Sequence, residues 1–166
     1  MPCSHCEPWR LDDVASTLAA VDRQVPLVAG STYIAVFDLM GALVGARRLA
    51  DDVPERTGHP PGTSAIRSAV TALIGDDIGP LPPDYVTHLV RCRDGYVVWA
   101  PDDPAWGYAL IYGVQMMNTY VGEVIVVTPH GWTMGRGRAA GRLPTLSNLS
   151  PAGNVVPLRP PSPGGP

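Results

Sequence analysis

The chain has no lysine among its 166 residues, a single phenylalanine, and no strong charge of either sign: twelve arginines stand against fifteen acidic residues, for a net charge of −3. The missing lysine excludes a lysine nucleophile, a Schiff base and a phosphate-binding P-loop lysine. A mildly acidic balance gives no field that would gather nucleic acid or an anionic membrane surface. Cysteine is sparse and odd in number, at three, which fits reduced thiols in a cytoplasmic protein better than a disulfide framework. The N-terminus lacks a basic region followed by an apolar one, so no secretory signal is expected. A membrane-spanning run is lacking too. The longest stretch without a charged side chain, Pro104 to Gly122, is interrupted by Gly107, Gly113, Gln115, Asn118 and Thr119, whereas a span needs about twenty mainly apolar residues.

What is present suffices for one domain. Hydrophobic residues make up 45% of the chain, enough at this length for a single sizeable core. Leu11, Val14, Ala15, Leu18, Val21 and Val25 recur at helical spacing, with Asp12 and Asp13 at the positive end and Pro26 as a stop. Tyr33 to Leu39 and Leu43 to Leu49 read as a β-hairpin around Met40-Gly41. Ser64 is the expected cap of a helix carrying Ile66, Val70, Leu73 and Ile74, and Gly75 its expected end. Tyr85 to Val90 and Tyr96 to Trp99 read as strands around Arg93-Asp94-Gly95. The run Pro104 to Gly122 reads as a helix buried on most sides, with a short loop at Gly122 feeding a central strand, Val124 to Val127. The expected fold is α+β, a three-layer α/β/α-like domain around a mixed sheet. Residues 1–28 form a leader and helix, 29–135 the main domain, and 136–166 a disordered Pro/Gly/Arg tail, since its composition buries too little to offset ordering entropy.

Two segments carry a resemblance. Tyr33-Ile-Ala-Val-Phe-Asp-Leu-Met-Gly-Ala-Leu-Val-Gly-Ala-Arg-Arg-Leu49 is similar to the opening hairpin of the JAB/MPN domain, and Glu123-Val-Ile-Val-Val-Thr-Pro-His-Gly-Trp-Thr133 to the closing strand of its bacterial, RadC-like branch. The resemblance spans roughly Tyr33 to Met134. It implies a zinc hydrolase of the metallopeptidase or isopeptidase type, in which a His-x-His pair and an Asp hold the metal and a Glu polarises water. It also raises a link to DNA metabolism. In this chain, however, the segment that should hold His-x-His reads Val90-Arg91-Cys92-Arg93-Asp94. Guanidinium stays protonated and has no lone pair for a metal.

The residue-level expectations follow from that gap. Asp102 or Asp103 stands near the ligand Asp of the family, and Asp52 or Glu55 near its Glu. Arg91 and Arg93 are candidates to bind an anion, with pairing to Asp94, Asp102 or Asp103 as the alternative. No metal is favoured; zinc is considered at His88 or His59 with Asp102 or Asp103 and Glu55, or at Cys3 and Cys6 of the leader, completed by His88 and Cys92. His130 is expected in a turn between strands. The leading expectation is a non-catalytic JAB/MPN-like module that binds a protein partner. The others are a metal-dependent hydrolase with unconventional ligands and an unrelated small α+β accessory protein. A homodimer through Met116, Met117 and Tyr120 is a further expectation.

Overall fold

The computed structural model describes residues 7, 9–51, 54–55, 57–76, 78–79 and 81–150. Among the described residues three helices and six strands follow in the order α1 (Val14–Gln24), β1 (Thr32–Asp38), β2 (Leu43–Arg48), α2 (Thr63–Ile74), β3 (Tyr85–Cys92), α3 (Asp103–Gly113), β4 (Thr119–Thr128), β5 (Gly131–Met134) and β6 (Ala140–Gly141). The strands form one mixed sheet in the order β2-β1-β3-β4-β5-β6. Only β3 and β4 run parallel, joined by the crossover through α3. The class is α+β. Among the described residues no helix is long and apolar enough to cross a membrane.

Strand alternation sorts the core into two layers. On one face Tyr33, Ala35, Phe37, Val90, Cys92, Ile125 and Val127 pack against Val14, Leu18 and Val21 of α1. On the other Ile34, Val36, Leu89 and Val124 pack against Ile66 and Val70 of α2 and Ala109 and Leu110 of α3. Helix α1 therefore belongs to the main core and is not a separate leader element. Asp13 caps it by accepting the Ser16 N–H at 2.9 Å, and Pro26 lies two residues past its end. In the β1–β2 turn Asp38 accepts the N–H groups of Met40 and Ala42, and Gly41 supplies the positive φ of 84°.

Four expectations are corrected. The uncharged run is not one buried helix. Helix α3 stops at Gly113, a turn follows, and β4 begins at Thr119, so Gly122 lies inside a strand. There β4 holds an extra residue against β3 between Thr87 and Leu89, and a Cβ on Gly122 would come within 2.5 Å of His88 Nδ1. Tyr96 to Trp99 form no strand, because the Val98 carbonyl is taken by the Arg93 guanidinium. Ser64 does not cap α2; the helix starts at Gly62, whose N–H is accepted by Glu55.

The fourth correction concerns residues 136–150, which pack onto the domain. β6 pairs with β5, Leu146 and Leu149 are buried on the α1 face, and Ser147 donates from both N–H and Oγ to Asp22 at 2.7 Å. Burial pushes the Asp22 carboxyl up, but the hydrogen bonds from Leu27 and Ser147 outweigh it and hold the group below its ordinary value. Apolar burial and a buried carboxylate together offset the ordering entropy that composition alone suggested would prevail. The remainder of the expected tail, 151–166, lies outside the described residues.

Candidate functional site

The feature that draws most charged chemistry together lies where β3 ends and α3 begins. Arg91 is on the α2/α3 face of β3, and Arg93 follows two residues later just past the strand, so both side chains point the same way. They meet the first turn of α3. Arg91 Nη1 donates to Asp103 Oδ1 at 2.8 Å, and Arg93 Nη2 donates to Asp103 Oδ2 at 2.9 Å. Arg91 Nη2 also pairs with Asp102. Asp103 is fully buried and accepts the Ala100 N–H at 2.7 Å as well. Each of its oxygens is thus engaged, as a buried carboxylate requires. The bond from Arg91 holds the Asp102 carboxyl below the usual carboxylate range.

The cluster ties down the loop between β3 and α3. Arg93 donates to the carbonyls of Asp94 and Val98 in addition to Asp103. Arg91 Cζ lies 5.6 Å from the centroid of the Trp106 ring, a cation–π contact that covers its free face. Trp106 in turn packs flush on Gly62, where a Cβ would approach the ring to 2.6 Å. Glu55 completes the wall, its carboxylate accepting the N–H groups of Gly62 and Ser64 at the start of α2. Glu55, Gly62, Arg91, Arg93 and Trp106 line a cavity of about 380 Å³. Arg93 Nε and Ser64 Oγ are buried without a partner among the described residues.

Arg91, Arg93, Asp102, Asp103 and Glu55 are therefore brought into one neighbourhood. The pairing alternative is the arrangement found: the guanidiniums face carboxylates and carbonyls of their own chain. Three carboxylates against two guanidiniums leave the site net negative, which opposes an external anion. Asp94 contributes only its backbone carbonyl. Asp52 lies outside the described residues.

The proposed metal sets do not assemble. His88 projects from the opposite face of β3, edge-on to Phe37. Its Nδ1 accepts the Glu123 N–H at 2.9 Å, so its one proton sits on Nε2 and neither nitrogen offers a lone pair to a metal. Burial lowers its pKa to about 4, keeping it neutral. His88 and Cys92 share a face, but four strand residues separate them by ~13 Å, too far for ligands of one ion. Burial, with the Asp22 charge adding to it, pushes the Cys92 thiol up to about 12. His59 lies against Tyr112, nine helical residues or ~13 Å from Asp103. His130 occupies the β4–β5 turn, as expected, stacked on Tyr96. No group of three or more His, Cys, Asp or Glu among the described residues is placed to hold a metal. Cys3, His5 and Cys6 lie outside them.

At the position of the implied zinc ligands the donor set is thus two protonated guanidiniums already bonded to the one suitable carboxylate. That set does not fit zinc, and no hydrolytic step is derived from it.

A second feature is the outer face of α3, an apolar surface that the sequence led us to expect at Met116, Met117 and Tyr120 but not at Tyr108, Ile111 and Tyr112. Its inner stripe, Ala109, Leu110 and Gly113, is buried, while Tyr108, Ile111 and Tyr112 form an apolar outer stripe. Beside it a groove of about 340 Å³ runs between α3 and β4, lined by Trp99, Pro104, Gly107, Ile111, Val121 and Val124. The signal was the absence of any polar face in residues 104–113. Of the expected dimer residues, Met117 is in the core, Tyr120 is covered by Trp9 at 5.9 Å, and only Met116 is well exposed.

Fold and site together define an α+β domain with an arginine–aspartate clamp at the end of its central parallel pair. The chain matches no known family, no curated protein and no solved structure.

Proposed function

We propose that this chain is a non-catalytic, JAB/MPN-like binding module in which an ion-pair clamp has taken the place of a zinc centre. The observation that carries the reading is the convergence of Arg91 and Arg93 on Asp103. The His-x-His positions of the resemblance and a carboxylate at the head of the next helix meet in space, with guanidiniums standing where imidazoles would be. The order from β1 to β4, a hairpin, a helix, a strand, a helix and a strand, with the two resembling segments at its ends, supports the same reading. So does Glu55, which reaches the wall of the same cavity. With hydrolysis removed, recognition remains. Among the described residues, seven of the thirteen large hydrophobic residues left exposed fall within residues 96–116, a density that supports an interaction surface.

The test is to put the imidazoles back. A folded Arg91→His/Arg93→His variant should take up about one zinc per chain, lost again with Asp103→Asn, because three ligands of the right type would then surround one point. A double variant with the wild-type melting profile and no zinc would show that these positions do not have the geometry of a metal centre, and the resemblance would fall with it.

A further inference from the structure

We infer that the outer face of α3 is a homodimer interface, in which two copies pair antiparallel through this helix and the groove beside it. The inference rests on the binding-module reading and names its partner.

The exposed positions of the helix fall at 104, 105, 108, 111 and 112, the spacing of a single stripe, and Met116 lies in the turn past its end. Tyr108 is 61% exposed, Ile111 41%, Tyr112 45% and Met116 65%. Trp99 joins this stripe through the groove it shares with Ile111. Aromatic side chains carry ~150–250 Å² each, so the patch amounts to several hundred Å². That is a large part of the ~800 Å² each partner contributes to a standard interface.

Three observations select a second copy of this chain as the occupant. An isologous interface requires projections and recesses on one and the same surface, and α3 carries both: Tyr108 and Tyr112 stand out from it, and the 340 Å³ groove runs along the same helix at Gly107 and Ile111. The groove stays open at Gly107, where an added Cβ would meet nothing within 4 Å, so a facing helix can approach closely there. Residues 104–122 carry no charged side chain, and the charges that border the face, Asp103 and Arg136 at the groove and Arg67 and Asp76 beside Tyr112 and Met116, come in opposite signs, so two copies meet without a field of one sign although each chain is net negative. Antiparallel pairing also sets the two helix dipoles in opposition, the favourable sense.

Sedimentation equilibrium on the full chain into the tens of micromolar, the weak end for interfaces of this size, decides the matter. The expected mass is twice 17.6 kDa. Ile111→Glu and Tyr108→Glu should each weaken the dimer at least tenfold, while Val44→Glu, exposed on the far edge strand β2, should leave it intact. If Ile111→Glu fails to fold, Tyr108→Glu, the more exposed of the two, carries the test. A wild-type monomer throughout the range would overturn the proposal, as would a dimer indifferent to both substitutions. A monomer would leave the metal-free module to its own zinc-restoration experiment.

Discussion

Arg91 and His88 stand three residues apart on β3 and face opposite layers, and the protein treats their charges in opposite ways. On the α2/α3 side, charge is kept and neutralised by pairing: two guanidiniums surround one buried carboxylate. On the α1 side, charge is suppressed by burial: His88 is held neutral by desolvation, and the Cys92 thiol is pushed up to about 12. An arginine cannot shed its proton to enter an interior, so it demands a partner, whereas a histidine becomes neutral by losing its proton and a cysteine stays neutral by keeping its own. One strand thereby carries a polar clamp and an inert core within a few residues. Among the described residues neither side gathers three metal donors at one point.

The contrast is broken most severely by removing the one carboxylate both arginines share. Asp103→Ala would strand two part-buried guanidiniums and the Ala100 N–H, and the expected loss is about 3–5 kcal/mol, read from the denaturant midpoint. Replacing an arginine should cost less than replacing Asp103, since Asp103 keeps its other partner. A clamp that contributes nothing would show as an Asp103→Ala midpoint equal to wild type.

The opposite side is tested by pH. His88 has a folded pKa near 4 against 6.5 unfolded, so between those values the unfolded chain binds more protons. The His88 contribution is therefore full above about pH 6.5, falls by about 3 kcal/mol as pH drops toward 4, and levels off below it. Asp13, Asp22 and Asp102, all lowered from 3.8, lose their contributions below that window. His88→Leu should flatten the 4 to 6.5 segment of the profile. An unchanged slope in that variant would place the titration elsewhere.

The smallest effect expected belongs to Glu55, which caps α2 from the preceding loop. Glu55→Ala should cost about 1 kcal/mol, the usual worth of a helix cap, measured as a modest drop in melting temperature. A loss as large as that of Asp103→Ala would make Glu55 a member of the clamp in its own right.

Much of this architecture was readable in the sequence wherever one face of an element is apolar and the other polar. Helix α1 has that signature, whereas the β1–β2 hairpin, the end of α2 at Gly75 and the His130 turn were readable from their turn and end residues and, in β1, from a run apolar on both faces. Helix α3 was misjudged because both of its faces are apolar, one for the core and one for the surface, so periodicity could not mark where it ends. Tyr96 to Trp99 look like a strand by residue type, but an arginine takes the Val98 carbonyl. The segment after Arg136 was read from its glycines and prolines, while Leu146 and Leu149, three apart, carried the contrary signal. At the site, the pairing of Arg91 and Arg93 with Asp102 or Asp103 was foreseeable from charge, but their convergence on Asp103 depends on how α3 meets β3, which no local pattern encodes.

The most direct test of the central claim is the zinc content of the wild-type fold with the leader thiols removed, as a Cys3→Ser/Cys6→Ser variant of the full chain purified without chelator or affinity tag. The account predicts metal far below one equivalent, unchanged by further substitution of Asp102 or His88. About one tightly held zinc per chain in that variant, lost on mutation of Asp103, would contradict it.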